Sequence, residues 1–500
     1  MNFELLSFIV YFAAMLGIGI FFFVKSSGSG EKDYFLGGRS MGPWVTAMSA
    51  QASDMSAWLL MGLPGSIMAF GFGEAWVGIG LALGTAANWI FVAKRLRRFS
   101  KAADDAITLP QYLSNRFAAK NPALKIICAI VFLVFFTVYV ASSFVAGTTV
   151  FTTIFPNLEE NIAMLIFVAI LILYTFLGGF KAVCWTDFFQ GLLMLVALLA
   201  VPIVIVFVKD LDTSLLSVPL TNLKDGTVYE FVPSFFKADI TDILSGLAWG
   251  LGYFGMPHIL VRFMSIKKPS MVKKSAIVAI IWVVITLAAA IVIAYFGRIL
   301  VGAELLATGA QETIFIKLAR DLFPAAVSGI LLAAIIAASM STADSQLLVA
   351  SSSFTSDIYK PVFRKKASDK ELLWIGRAVV LIVAVIAYFI ASSKGDGAAA
   401  IMDMVGNAWG GFGSAFGPVV ILSLFWKRFT YKGALAGIAA GAIVDVAWYF
   451  LLTAKTGIYE LLPGFAAGLI FAIVVSLIDK KPSQEVEAIF AKATDESIDD

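Results

Sequence analysis

Long apolar segments that carry almost no charge alternate with short charged segments along the chain. A helix needs roughly 20 apolar residues to cross a bilayer core of about 30 Å. Thirteen segments reach or approach that length, so the pattern predicts an all-α integral membrane protein with 13 transmembrane helices. The predicted helices, numbered in chain order, cover residues 5–24, 40–73, 75–93, 126–158, 161–180, 188–208, 243–261, 275–297, 322–343, 378–393, 404–426, 433–454 and 461–478.

The first apolar segment, 5–24, differs from a cleavable signal peptide. No basic region precedes it, Glu4 stands at its start, and no small-residue cleavage site follows it. We therefore expect this segment to be retained as helix 1.

The distribution of Lys and Arg predicts the orientation in the membrane. With the N-terminus outside, 29 of the 37 Lys and Arg residues fall in inside loops and 8 in outside loops. Because cytoplasmic loops carry the excess of Lys and Arg, we predict an outside N-terminus and a cytoplasmic C-terminus. The tail from Pro482 to Asp500 forms either an amphipathic helix or a frayed extension, and we favour the frayed extension.

Composition excludes several classes of protein. The 500 residues are 60% hydrophobic and 14% charged, with a mean hydropathy of +0.90, whereas soluble domains carry about 25% charged residues. Most soluble enzymes and disordered chains are thereby excluded. A net charge of +3 gives no reason to expect nucleic acid. Cys128, Cys184 and the single His258 are too few for a disulfide framework or a multi-histidine metal site.

Helices 2 and 7 contain clustered helix-weakening residues. Residues 41–65 and 245–258 combine glycine, proline and small polar side chains, and the two helices lie five helices apart. They therefore enter the membrane from opposite sides, as the interrupted helices of transporters with inverted repeats do. Close packing of glycine-rich helices is the alternative, but Asp54 inside helix 2 favours a binding site.

This interpretation divides the chain into six parts. They are an extra N-terminal helix and cytoplasmic loop (1–39), a first inverted repeat of helices 2–6 (40–209), an extracellular loop (210–240), a second inverted repeat of helices 7–11 (241–428), helices 12 and 13 (429–480) and a cytoplasmic tail (481–500).

Four acidic residues lie in or at the ends of apolar segments: Asp54, Asp187, Asp344 and Asp445. A carboxylate at the centre of a membrane helix costs about 2.5–3.5 kcal/mol on insertion scales. The apolar segments place no Lys or Arg beside these residues, so we expect them to attract a cation or a proton.

Two of the four acids have neighbours that suit a hard cation. Asp54 is flanked by small and hydroxyl residues in a weakened helix, where freed carbonyl oxygens and hydroxyls match Na⁺. In helix 9, Ser341, Asp344 and Ser345 follow an i, i+3, i+4 spacing that places them on one face. Serine often only bonds its own helix backbone, but the adjacent Asp344 favours a cation site.

The remaining polar candidates leave alternatives open. Asp187 is either an N-terminal helix cap or an ion ligand, whereas for Asp445 we favour a local hydrogen bond or the lining of a wet crevice. We expect His258 to be structural. In helix 7, Trp249, Tyr253 and Pro257 recur every four residues and form either packing or a substrate wall, with Tyr139 of helix 4 a weaker candidate.

Several segments together resemble the sodium/solute symporter family, relatives of the sodium/glucose cotransporters, over about residues 2–478. They are DYFLGGRS at 33–40, ASDMS at 52–56, WLLMGLPG at 58–65, GGFKAVCWTD at 178–187, WGLGYFGMPH at 249–258 and MST at 340–342. The resemblance, which is to proline-importing members, implies a leucine-transporter-like core, alternating access and sodium-coupled import of L-proline. It also implies that the protein lies in a bacterial cytoplasmic membrane. A single chain is sufficient for this function.

The resemblance further implies roles for individual residues. Sodium ligands would be the carbonyls of Ala52, Met55 and Ala338 and the hydroxyls of Ser341 and Thr342. Asp54 would affect sodium affinity, Asp187 would lie at a neighbouring sodium position, and Arg39 would affect coupling. Substrate contacts would be Ser56, Ala57, Tyr139, Trp249, Tyr253 and Pro257.

Two positions depart from the family pattern. Ala57 stands where proline-importing members have glycine, and the added methyl group in the pocket is worth about 1–3 kcal/mol. Asp344 stands where a small polar residue is expected, and with Ser341, Ser345 and Asp187 it could build a second site for Na⁺ or H⁺. Another small amino acid or carboxylate is the alternative substrate. A channel or a transporter-derived sensor is less favoured, and we expect no enzyme because no general base is paired with a nucleophile.

Overall fold

The computed structural model describes residues 3–26, 30–208, 211–393 and 398–495. Its helices in the first half are α1 (Phe3–Ser26), α2 (Glu31–Leu36), α3 (Pro43–Asp54), α4 (Gly62–Phe70), α5 (Ala75–Ala87), α6 (Lys94–Ala102), α7 (Leu109–Arg116), α8 (Ala123–Ile154), α9 (Glu160–Val208), α10 (Ile240–Gly252) and α11 (Pro257–Ser265). Those in the second half are α12 (Val272–Leu300), α13 (Gly302–Ala307), α14 (Ile314–Leu322), α15 (Ala325–Ser353), α16 (Asp369–Ser393), α17 (Ala398–Phe425), α18 (Tyr431–Trp448), α19 (Ala454–Thr456), α20 (Leu461–Ile478) and α21 (Gln484–Thr494).

The all-helical prediction is confirmed, since strands within the described part of the chain are limited to one small hairpin. In it, β1 (Leu220–Thr221) pairs antiparallel with β2 (Val228–Tyr229). The hairpin belongs to the predicted extracellular loop 210–240. Arg298 of α12 donates hydrogen bonds to the carbonyl oxygens of Val218 and Tyr229, which fixes the loop to the bundle.

Among the described residues, ten helices are long and apolar enough to cross a membrane. They are Phe3–Phe22, Ala75–Ala102, Ala123–Ile154, Gly179–Phe207, Pro269–Leu300, Ala325–Phe363, Asp369–Ser393, Ile401–Phe425, Tyr431–Thr456 and Leu461–Ile478. The other three predicted helices are helix 2, which the structure forms as α3 and α4, helix 5, which is the first part of α9, and helix 7, which is formed as α10 and α11.

Predicted helices 5 and 6 are joined without an intervening loop, contrary to the sequence prediction. The range α9 consists of two helices that meet directly at a kink at Gly179, where φ is 60° and ψ is 178°. Only glycine adopts this conformation readily. Lys181 and Asp187 therefore lie inside a helix, and the prediction that Asp187 begins a helix is wrong.

Helix α15 lies at the centre of the bundle and is buried along nearly its whole length. It packs against α1, α3, α8 and α9. The outer helices expose large apolar side chains, such as Phe207, Phe389 and Ile478. A continuous apolar exterior around buried polar groups is expected when the surrounding solvent is lipid.

The C-terminal tail forms a docked helix, so the favoured frayed extension was the wrong alternative. Helix α21 begins with a side-chain cap, in which the Val486 amide donates to Ser483 Oγ. Its Phe490 ring meets Phe99 of α6 at 5.3 Å. The apolar face of the short helix thereby finds a partner that local sequence patterns cannot reveal.

Candidate functional site

The first interruption separates α3 from α4. Helix α3 ends at Asp54, the backbone leaves helical geometry at Met55 (ψ 60°) and Ser56 (ψ −167°), and a 3₁₀ turn spans Ala57–Leu59. Pro64 lies in the first turn of α4, where proline is tolerated because its missing N–H would be unpaired anyway. The predicted break in helix 2 is confirmed, and it frees backbone groups in the protein interior.

The second interruption separates α10 from α11. Helix α10 ends at Gly252, and α11 begins with Pro257 at its first position. A Cβ at Gly255 in the intervening turn would come within 2.3 Å of the Phe412 carbonyl oxygen, so the turn packs directly on the α17 backbone. The predicted break in helix 7 is confirmed as well.

A group of uncharged oxygens joins the end of α3 to α15. The Ser341 hydroxyl donates to the Ala52 carbonyl oxygen at 2.8 Å and lies 3.2 Å from that of Ala338. Thr342 Oγ1, on the next residue, is buried and has no hydrogen-bond partner among the described residues. Met55 is buried where the backbone leaves the helix. Carbonyl and hydroxyl oxygens in this arrangement are the ligand type that hard cations prefer. We call Ala52, Met55, Ala338, Ser341 and Thr342 the oxygen cluster.

The Asp54 side chain takes part in a different set of contacts. Its Oδ2 accepts a hydrogen bond of 2.5 Å from the Tyr253 hydroxyl, and its Oδ1 has no hydrogen-bond partner among the described residues. The Tyr139 hydroxyl lies 3.4 Å from the Asp54 carbonyl oxygen. Asp54 thus connects both interrupted helices to α8, and it brings together two of the predicted substrate contacts.

An aromatic cluster surrounds Trp249 of α10. Its ring lies 6.4 Å from Trp58, 6.3 Å from Trp409 and 5.1 Å from Tyr459, with the last two nearly parallel to it. Tyr253 meets Trp409 edge-on at 5.0 Å. The predicted contacts Trp249 and Tyr253 therefore lie together. Rings this close also support one another by stacking and edge-to-face contact.

The other predicted substrate contacts lie on the elements that border this cluster. Ser56 and Ala57 are buried in the break between α3 and α4, and Ser56 lies beside the Tyr139 hydroxyl. Pro257 is buried at the start of α11, one turn beyond Tyr253.

Sequence reasoning missed Trp409 and Tyr459. Trp409 donates from Nε1 to the Trp249 carbonyl oxygen at 2.8 Å, and a Cβ at Gly252 would come within 2.0 Å of that nitrogen. The glycine-rich stretch around Trp409 could have signalled close packing against another helix. Tyr459 precedes α20, outside the proposed repeats, and no local pattern pointed to it.

A second polar cluster contains a buried guanidinium, which corrects the expectation that the acidic residues have no basic partner. Arg262 Nη2 lies 3.0 Å from Asp187 Oδ2, and both side chains are at most 1% exposed. Ser49 Oγ donates to the same Asp187 oxygen at 2.6 Å and accepts from Arg262 Nε at 2.9 Å. The apolar segment of helix 7 ended at the first charge, but α11 continues to Ser265 and carries Arg262 into the interior.

The helix 9 face predicted as one cation site divides between the two clusters. Ser345 Oγ accepts a hydrogen bond from Arg262 and lies 3.2 Å from Asp344 Oδ1. Ser341, in contrast, contacts Ala52. We call Ser49, Asp187, Arg262, Asp344 and Ser345 the guanidinium cluster.

The other two polar candidates, Asp445 and His258, are both buried. Ser414 Oγ donates to Asp445 Oδ1 at 2.9 Å, so the expected local hydrogen bond of Asp445 is confirmed. His258 is fully buried with its ring 5.9 Å from that of Phe136, and its carbonyl oxygen accepts from Arg262 Nη1 at 2.7 Å.

Arg39 lies at one end of the bundle, where it joins three segments. It donates to Asp105 Oδ1 at 2.8 Å, to the Ala106 carbonyl oxygen at 2.7 Å and also to the Met264 carbonyl oxygen at the end of α11. Burial acts in the opposite direction, but the hydrogen bond from Lys32 and the charge of Arg39 hold the pKa of Asp105 below its ordinary value.

Two interrupted helices that meet around buried oxygens and aromatic rings define the class: this is the leucine-transporter-like fold of secondary transporters. Residues 34–441 match the model of the sodium:solute symporter family, and the chain belongs to that family.

Relatives and solved structures agree with this assignment. The sodium/proline symporter of Haemophilus influenzae is 44% identical, over 98% of this chain and 97% of the relative. That of Escherichia coli strain K12 is 43% identical (98% and 96%), and the osmoregulated proline transporter OpuE of Bacillus subtilis is 42% identical (96% of each chain). A Na⁺-coupled sialic acid symporter, 19% identical, superimposes with a TM-score of 0.74 over 97% of this chain and 99% of its own. Mhp1, a nucleobase-cation-symport-1 family transporter, is 14% identical and has a TM-score of 0.51 (92% and 98%).

Proposed function

We propose that this chain imports L-proline together with Na⁺ by alternating access. The observation that carries the proposal is the position of the Ser341 hydroxyl of α15, which lies between the carbonyl oxygens of Ala52 and Ala338 across the end of interrupted helix 2. The relatives named sodium/proline symporters support the choice of ion and substrate.

Sodium would bind to the oxygen cluster, whose ligands belong to two different elements. Ala52 and Met55 come from the break after α3, whereas Ala338, Ser341 and Thr342 come from α15. An ion held by both elements favours the conformation in which they are close. Coupling requires only that the affinity for the ion differs between the outward-open and inward-open states.

Proline would bind beside the same break. In the turn Ala57–Leu59 the amides of Trp58 and Leu59 already donate to Ser56, so the Ala57 amide at the start of the turn would meet the substrate carboxylate. The aromatic groups Tyr139, Trp249 and Tyr253 would enclose the pyrrolidine ring, with Ser56 and Pro257 completing the wall. Because Asp54 accepts a hydrogen bond from Tyr253, a movement of the break on Na⁺ binding would also move Tyr253 in the substrate wall.

The guanidinium cluster supports a proposal for the ratio of sodium to proline. Arg262 already pairs with Asp187 in the interior, so we propose that one Na⁺ in the oxygen cluster accompanies each proline. A second cation contacting Asp187, Asp344 and Ser345 is the alternative, and it would require Arg262 to give up part of its contacts.

We also propose thirteen membrane spans, an outside N-terminus and a cytoplasmic C-terminus. The ten long helices, the two interrupted pairs α3–α4 and α10–α11, and the first part of α9 supply thirteen crossings. Helices 2–6 and 7–11 would form the inverted repeats, in a bacterial cytoplasmic membrane. The excess of Lys and Arg on one side supports this orientation.

The deciding experiment is uptake of labelled proline into proteoliposomes. Uptake should require an inward Na⁺ gradient, exceed that with K⁺, and be inhibited by unlabelled proline more than by other small amino or carboxylic acids. Flux that is independent of the Na⁺ gradient would favour a channel and contradict the proposal.

A further inference from the structure

A lysine-rich groove of about 780 Å³ opens at the end of the bundle where α8 begins and α15 ends, more than ten residues along α15 from Ser341 and Thr342 of the oxygen cluster. Five of its lining residues are basic: Lys32, Lys120, Lys125, Lys360 and Lys365. The proposed transport function assigns no role to this groove.

The lysines of the groove are unequally paired. Lys360 lies 2.6 Å from Glu31, and Lys32 pairs with Asp105 outside the groove. Lys120, Lys125 and Lys365 form no ion pair with any described residue. Two lining residues, Glu31 and Asp369, are acidic, so the five lysines still give the groove an excess of positive charge. Such an excess attracts an anion most strongly when the walls exclude part of the water.

Apolar side chains next to the lysines indicate which kind of anion fits. The π-helical segment Phe354–Phe363 carries Lys360, and at its end Val362 and Phe363 are 44% and 66% exposed. Lysines that stand beside exposed apolar side chains at a helix end are typical of contact with an anionic lipid surface. A water-soluble anion would gain nothing from the exposed Phe363.

We propose that this groove binds the phosphate of an anionic phospholipid, with the acyl chains lying along Val362 and Phe363. The lipid belongs to the cytoplasmic leaflet, so this inference rests on the orientation given under the proposed function. It concerns binding alone, and it can therefore be tested without measuring transport.

The test uses the delipidated full-length protein in detergent, with bound lipids counted by native mass spectrometry. Phosphatidylglycerol and phosphatidylcholine are titrated separately, and inorganic phosphate is added as a competitor. The test variant is Lys120→Gln/Lys125→Gln/Lys365→Gln. The matched control is Lys267→Gln/Lys268→Gln/Lys273→Gln, which removes three exposed lysines from another loop of the same side.

We expect the wild type and the control to bind phosphatidylglycerol more tightly than phosphatidylcholine. In the groove variant, the ratio of phosphatidylglycerol affinity to phosphatidylcholine affinity should fall at least tenfold. The reason is that each lysine near an anionic surface raises the binding affinity about fivefold. Equal phosphatidylcholine binding by all three proteins would show that the variants are folded. Equal phosphatidylglycerol binding by the groove variant and the control would overturn the proposal. Competition by millimolar phosphate, without any preference for phosphatidylglycerol, would overturn the assignment to a lipid.

Discussion

The oxygen cluster and the guanidinium cluster lie one helical turn apart on the same two helices, yet only the guanidinium cluster contains charged side chains. On α3, Ala52 contributes to the first and Ser49 to the second, and on α15 the corresponding residues are Ser341 and Ser345. The oxygen cluster consists of neutral oxygens. The guanidinium cluster contains the carboxylates of Asp187 and Asp344, and α11 supplies Arg262, which pairs with Asp187.

Under the proposed function, one helix pair would hold both an exchangeable cation, in the oxygen cluster, and a permanent one, Arg262. Neutral oxygens leave a cation free to depart, because they do not retain a charge that must stay compensated. The buried carboxylate of Asp187 requires a counter-charge at all times, since an unpaired buried charge costs several kcal/mol. The side chain of Arg262 meets that requirement without leaving the protein, whereas a transported ion would leave Asp187 unpaired after its release.

The largest effect is expected from Arg262→Gln. The substitution leaves Asp187 buried without its partner, which typically costs 3–5 kcal/mol, about the scale measured for broken buried pairs. Thermal unfolding in detergent should shift strongly downwards, and proline uptake should be lost. The double variant Asp187→Asn/Arg262→Gln removes both charges and should recover part of the stability. An Arg262→Gln protein as stable as the wild type would contradict the role of Arg262 as a permanent counter-ion.

The second prediction concerns the exchangeable ion. Ser341→Ala removes one ligand of the oxygen cluster, and hydrogen bonds or contacts to charged groups contribute about 1.5–3 kcal/mol. The Na⁺ concentration for half-maximal uptake should therefore rise about tenfold or more, and Thr342→Ala should act in the same direction. Ser339→Ala is the matched control, because among the described residues the Ser339 hydroxyl donates only to the Ile335 carbonyl oxygen of its own helix. Equal Na⁺ activation in the Ser341 and Ser339 variants would remove Ser341 from the ion site.

A smaller effect is expected on the affinity for proline, measured separately from Na⁺ binding. Ala57→Gly removes one methyl group from the turn after the break, where the residue is 1% exposed. If the methyl group narrows the proline site, affinity for proline should rise by about tenfold, the lower end of the effect of one methyl group in a pocket. Competition binding at saturating Na⁺ measures the change. Unchanged proline affinity would place Ala57 outside the pocket.

The smallest effect is expected for the charge moved per proline. If Arg262 supplies the positive charge of its cluster, the wild type should move one charge per proline, and Asp344→Asn should move the same number. The reversal potential of proline transport measures this number. A ratio of two charges in the wild type that falls to one in Asp344→Asn would show that Asp344 binds a second transported cation, and the contrast between the two clusters would then fail.

The predictions made from local patterns held where the pattern itself contains the cause. Apolar segments of membrane length determine helices, and Gly, Pro, Ser and Asp at 52–65 and 252–257 weaken them, so the two breaks were predictable. The resemblance to the family pointed to Ser341 and Thr342, and the structure places Ser341 against the Ala52 carbonyl oxygen; their role as sodium ligands stays a prediction. The direct connection of helices 5 and 6 at Gly179 was not predictable, since charged residues such as Lys181 normally indicate a loop.

The sequence by itself determined that this chain is a helical membrane protein with interrupted helices and small polar residues at the interruptions. These properties depend on neighbours along the chain and on the solvent. Only the tertiary structure decided that Arg262 meets Asp187, that Trp409 and Tyr459 enclose Trp249, and that α21 docks on α6. Each of these contacts joins residues that are far apart in sequence. Helix packing decides which residues meet, and the hydropathy pattern along the chain does not specify how the helices pack.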